Sequence, residues 1–184
     1  TLVDMFRIGQ LPTGDKDPFA LRRHALGTVR MLIENELPLD LEWLFNSAKL
    51  IETKVIEQLS DFIYERLAGS LREQGYSALE VDAVISLRPQ RLGDIPKRLS
   101  AVRAFAALPE AASLAAANKR VGNILKKVEG TVAAKVDAAL LKEAAEVALH
   151  AALGQAKPQA DAAFESGDYT ASLQALAALK SPVD

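Results

Sequence analysis

Residues 96–128 read PKRLSAVRAFAALPEAASLAAANKRVGNILKKV, and the fold turns on how this stretch is read. Two prolines punctuate it. Pro96 sits in an opening turn, where its missing N–H is tolerated, and Asp94 is placed to cap that turn. Pro109 then closes the first helix and opens a second. On a 3.6-residue wheel Leu114, Ala117, Val121, Ile124, Leu125 and Val128 fall on one arc. Lys119, Arg120, Asn123, Lys126 and Lys127 fall on the opposite one. The expectation is a helix with a core-facing apolar stripe and a compact basic back. Such a back suits a polyanion, and it suits an ordinary solvated surface equally well.

The same helical grammar extends to both sides. Residues 1–17 contain two glycines, a proline and alternating charges, and read as loop after a short apolar start. Asp17-Pro18 caps a helix whose inner stripe is Leu21, Ala25, Thr28, Val29, Leu32 and Ile33. Pro38 ends that segment, and Asp40 caps LEWLFNSAKLIE (41–52) with its single tryptophan, Trp43. A long amphipathic helix runs from about Lys54 to Gln74 and stops at Gly75. Ser77 and Glu80 have capping-box spacing ahead of Val81, Val84 and Ile85, and Arg88-Pro89 breaks that helix. Beyond Glu129-Gly130-Thr131 a helix resumes near Asp137 and runs to about Leu153. Pro158 opens another that ends near Ser166-Gly167-Asp168, and a last one covers Tyr169 to Leu179. Alanine and leucine dominate and no run favours a strand. The fold class is all-α, two helical bundles joined near residues 87–95, with domains at 1–90 and 91–184.

Composition removes several functions. The 184 residues contain no cysteine, which excludes disulfides, thiolate metal sites and cysteine nucleophiles. No apolar run approaches a membrane span and no signal-peptide pattern opens the chain. It begins at Thr1 instead of methionine and reads as an excised fragment. The net charge of −2 is uneven: residues 91–130 carry eight Lys/Arg against three Asp/Glu, a net of +5. A near-neutral whole is thus compatible with nucleic acid.

Catalytic chemistry finds no foothold. His24 and His150 lie in separate helices without metal-ligand spacing to another strong ligand. There is no phosphate-binding glycine loop. Gly14-Asp15-Lys16-Asp17 lacks the length and closing glutamate of a calcium loop and reads as a capped turn. Glu57, Asp61 and Glu65 form a solvated face. No catalytic and no metal residue is assigned. For RNA, Asn118 and Asn123 offer amides able to read base edges, and Arg98 and Arg103 of the preceding helix offer phosphate contacts. Phe105 has core spacing as well as a ring that could stack a base. Asn118, at the edge of the apolar arc, has a neighbouring backbone group as its alternative partner.

Several stretches carry a resemblance. IGQLPTGDKDPFALRR (8–23) followed by LGTVRMLIE (26–34), and EQGYSALEVDAVISLRP (73–89), resemble the beta subunit of bacterial tetrameric glycyl-tRNA synthetase. AVRAFAALPEAASLAAANKRVGNILKK (101–127) resembles the start of that subunit's C-terminal anticodon-binding domain, and LQALAALKSPVD (173–184) a later helix of it. The resemblance implies a helical bundle like that of arginyl-tRNA synthetase and a cytoplasmic setting. Its implied partners are glycine-accepting tRNA, an alpha subunit and a second beta subunit, with no DNA and no membrane. ATP and magnesium would act at the alpha subunit, which holds the aminoacylation site, and this chain would need no cofactor. The implied RNA-facing set is Asn118, Lys119, Arg120, Asn123, Lys126 and Lys127, with Arg98 and Arg103. The resemblance also places the start near the end of an HD-like helical domain and the anticodon bundle short of its C-terminal helices. On that basis Tyr169, Leu173, Leu176 and Leu179 are expected to expose more apolar surface than in the full subunit, unless a second copy covers them. The alternative function is a helical scaffold for subunit assembly without RNA contact.

Overall fold

The computed structural model describes residues 1–49, 52–132 and 135–183. Among these the secondary structure is helical. The only extended pairings are two isolated bridges, Thr13 with Lys16 and Asp40 with Arg91. The all-α class is borne out. Two compact units divide the chain, Thr1–Leu99 and Ser100–Asp184.

The first unit contains α1 (Leu2–Arg7), α2 (Leu21–Glu34), α3 (Leu41–Ser47), α4 (Thr53–Glu73) and α5 (Ala78–Ile85). A 3-10 turn at Leu92–Asp94 leads into α6 (Ile95–Ala106), within which the division falls. The core is built by α2 and α4. Leu21, Ala25, Val29 and Leu32 meet the other helices along one face, and Leu59, Ile63, Leu67 and Leu71 do so from α4. Each fully buried leucine contributes about 2 kcal/mol of apolar transfer. α2 begins at Leu21, three residues later than its proline suggests, because Ala20 adopts a left-handed conformation. Asp17 still caps it: Oδ1 accepts from the Leu21 N–H at 2.8 Å and Oδ2 from the Arg22 N–H at 3.0 Å.

Two local expectations change here. Residues 2–7 form a short helix, not a loop. Phe6 is buried and its ring lies 5.2 Å from that of Phe62, so tertiary burial offsets the cost of nucleating so few residues. Asp40 occupies the N-cap position of α3, yet its carboxylate pairs with Arg91 at 3.2 Å instead of capping. Gln90 does the capping: its backbone oxygen accepts from the Leu41 N–H, and its Oε1 from the Glu42 N–H. Leu50 and Ile51, in the expected extension of α3, lie outside the described residues, as does Asp184. At α5 the capping box forms as its spacing predicts. Ser77 Oγ accepts from the Glu80 N–H, and Glu80 Oε2 accepts from the Ser77 N–H.

The second unit contains α7 (Ala111–Leu125), a 3-10 turn at Ala138–Leu140, α8 (Ala144–Glu165), α9 (Tyr169–Ala177) and α10 (Lys180–Val183). α8 packs on α9 and α10, and α10 also meets α7. The two helices expected either side of Gly154 are one continuous helix with Pro158 inside it. The proline removes one hydrogen bond, but alanines on both sides carry the helix through. Its start is fixed by Glu146, whose Oε2 accepts from the backbone N–H groups of Lys142 and Glu143. Asp168 caps α9 by accepting from the Ala171 N–H at 2.9 Å. Tyr169, among the residues expected to expose more apolar surface, is buried edge-on against Phe164, with centroids 5.1 Å apart. Leu173, Leu176 and Leu179 are half-buried.

Candidate nucleic-acid interface

α7 is anchored at its start, where Ala111 is buried, and opens to solvent beyond. From Asn118 to Val132 every residue except the half-buried Gly122 is exposed. The apolar stripe is therefore not core-facing: Val121 is 53% exposed, Ile124 57%, Leu125 51% and Val128 46%. Leu114 and Ala117, nearer the start, are half-buried. The reason lies in what packs there. α10 has four residues, too few to cover an arc that runs along about four turns of α7.

The basic arc is exposed as expected. Lys119, Arg120, Asn123 and Lys127 line one shallow, open depression of about 410 Å³, together with Ala116 and Ile124. Among the described residues none of Lys119, Arg120, Lys126 and Lys127 takes part in an ion pair, unlike Lys157 on α8, which is held by Asp161. Cations without local partners sum their potential outward and draw anions to the face. Asn118 on α7 and Lys126 just past its end are exposed but lie outside the depression. Arg103 is exposed on α6 within the second unit. Arg98 is half-buried and belongs to the first. The structure thus brings together four of the eight residues picked out from the sequence.

Ala116 and Ile124 were missed as lining residues. The signal was present in the spacing: Ala116, Arg120 and Asn123 form one i, i+4, i+7 row on α7, and Lys127 follows in the turn that ends it. Ile124 follows at the edge of the apolar arc beside Arg120. Phe105 is half-buried, and the Asn118 side chain makes no hydrogen bond among the described residues. His24 borders an open groove between α1 and α2, and His150 is exposed on α8. The described residues contain no group of three or more His, Asp or Glu placed to hold a metal ion. No single described helix is long and apolar enough to cross a membrane.

Comparison with known proteins adds the context of this face. Residues 1–86 match the family model described as glycyl-tRNA synthetase beta subunit. Over its whole length the chain is 70% identical to the glycine–tRNA ligase beta subunit of Dechloromonas aromatica (strain RCB). It is 67% identical to that of Janthinobacterium sp. (strain Marseille) and 68% to that of Leptothrix cholodnii. The chain spans 26–27% of the length of these relatives. The likeness to these glycine–tRNA ligase beta subunits extends over the whole of the chain, and that to the glycyl-tRNA synthetase beta subunit family model over residues 1–86.

Proposed function

We propose that this chain serves glycyl-tRNA synthesis as a tRNA-gripping part of the beta subunit, its second unit acting as an anticodon-binding bundle of the arginyl-tRNA synthetase type. The observation that carries the reading is the set of cations without ion-pair partners on α7 and in the turn that ends it, exposed and gathered around Asn123. Lys119, Arg120, Lys126 and Lys127 neutralise phosphates, and Asn118 and Asn123 present amides to unpaired bases, with Arg103 as a further phosphate contact. ATP and magnesium act elsewhere, at the alpha subunit, in the cytoplasm. The test is a titration of the chain with glycine-accepting tRNA and a non-cognate tRNA at two salt concentrations. Binding that weakens with salt and is lost when the four cations are replaced together by alanine supports the reading. Unchanged binding in that variant overturns it.

One observation favours a second role. Val121, Leu125 and Val128 form an uncovered apolar arc opposite the cations, the kind of surface that marks a protein contact. On this reading the arc docks another part of the synthetase while the basic arc stays free. Association with the purified alpha subunit, or with the rest of the beta subunit, would then be insensitive to salt. Association that disappears at high salt would count against it.

A further inference from the structure

We infer that the depression on α7 is a seat for a single unstacked nucleotide of single-stranded RNA, with Ala116 as its floor and Asn123 as the group that reads the base. The inference rests on the RNA-binding reading above and specifies what that face holds. Around the helix Lys119 lies on one side and Arg120 on the other, Ala116 and Asn123 fall between them, and Lys127 borders the depression from the turn that follows Leu125. A methyl group and a short amide set between long cationic side chains leave a dip, and its other apolar border is Ile124. Each part has a chemical counterpart in a nucleotide. The floor and the Ile124 rim offer apolar contact to a base face, and the planar Arg120 guanidinium can stack on it. The Asn123 amide carries both a donor and an acceptor for a base edge. Lys119 and Lys127, both bordering the depression, suit the two phosphates that bracket one nucleotide. A purely electrostatic face would need no small residue at 116. A duplex keeps its bases stacked and could offer this dip only its phosphates.

The test compares a single-stranded RNA oligonucleotide with an abasic strand of the same length and charge. The full 184-residue chain is used at fixed salt, and helicity is monitored by circular dichroism. The chain is expected to bind the base-bearing strand about tenfold more tightly. Ala116→Leu, which fills the dip with a good helix former at an exposed position, should bind both strands alike while keeping the salt slope. Asn123→Ala should lose any preference among the four homopolymers. Two results overturn the seat while leaving the phosphate grip standing: equal binding of both strands by the unaltered chain, or unchanged discrimination in Ala116→Leu. Absence of salt-dependent binding to any strand overturns the RNA reading itself, and the seat with it.

Discussion

Gly93 and Leu37 approach so closely that a Cβ on Gly93 would stand 2.8 Å from the Leu37 carbonyl oxygen, with two further backbone atoms of residues 36 and 37 at 3.1 Å. The obstacle is backbone, which has little freedom to retreat, and Gly93 lies between Leu92 and Ile95, both fully buried in the core. Gly93→Ala is expected to destabilise the first unit by about 1–3 kcal/mol through overpacking. Urea unfolding followed by circular dichroism measures it, and a loss under about 0.5 kcal/mol would mean that this approach is looser than described.

Tyr64 gives the chain a pH dependence in the alkaline range. Its hydroxyl donates to the Pro89 carbonyl at 3.1 Å, and the Arg88 guanidinium lies 4.9 Å from the ring centroid. Burial pushes the phenol up from 10.0 to about 12, against a smaller opposing pull from the Arg88 cation. The folded state therefore holds the proton more tightly than the unfolded chain. The corresponding stability is fully present below pH 10 and is lost as pH rises towards 12, on the order of 2–3 kcal/mol in all. Tyr64→Phe should flatten the stability curve across that window and cost about 1 kcal/mol at neutral pH. Equal slopes in the two proteins between pH 10 and 12 would remove Tyr64 as the cause.

Single cations on α7 and in the turn that ends it should be countable through salt. Each phosphate contact adds about 0.7–0.9 to the slope of log affinity against log salt, so Lys119→Ala and Lys127→Ala should each lower it by about that amount. Glu57→Ala, on an exposed position of α4, serves as the control and should leave the slope as it was. A slope indifferent to both lysines would place the RNA on another surface.

The exposed stripe makes a sharp contrast with the core. Leu125→Ser should change stability by no more than about 0.5 kcal/mol, whereas Leu67→Ala, at 1% exposure, should cost about 2–5 kcal/mol. A loss of several kcal/mol at Leu125 would mean that the chain in solution covers this arc.

Pro158 stands inside α8 with its ring exposed. Pro158→Ala would restore the backbone donor to that turn and should stabilise the helix by about 1–3 kcal/mol, read as a rise in Tm. A fall in Tm would show that the proline itself contributes to the stability of this part of α8.

Elements written in local chemistry could be read directly from the chain. Ser77 and Glu80 form their capping box because both partners lie within one turn, and Asp17 finds α2 although the helix begins three residues beyond Pro18. Positions decided by distant partners could not be read this way. Phe6 makes a helix of α1 only because Phe62 is there to receive it. Asp40 abandons its capping role because Arg91 arrives from 51 positions away. The wheel separated the two arcs of α7 correctly, but periodicity says which residues share a face and not whether anything covers that face. Gly154 and Pro158 suggested a break that the surrounding alanines outweighed. At the basic face the cations were visible as charge. The dip among them was not, because it depends on how small Ala116 is beside its neighbours.

The match to the family model ends at residue 86, but the physical unit does not. Leu92, Ile95 and Leu99 are wholly buried, Pro89 receives the Tyr64 hydroxyl, and Gln90 and Arg91 fasten the start of α3. During synthesis on the ribosome, α2, α3 and α4 would emerge well before the segment that closes them. The growing chain must therefore hold an open apolar face until the segment through Leu99 is free, since long-range closure comes last. A shortened version ending at Ile85 would keep five helices and lack the clasp, and would behave as a collapsed, aggregation-prone intermediate. One ending at Leu99 would carry the clasp with it.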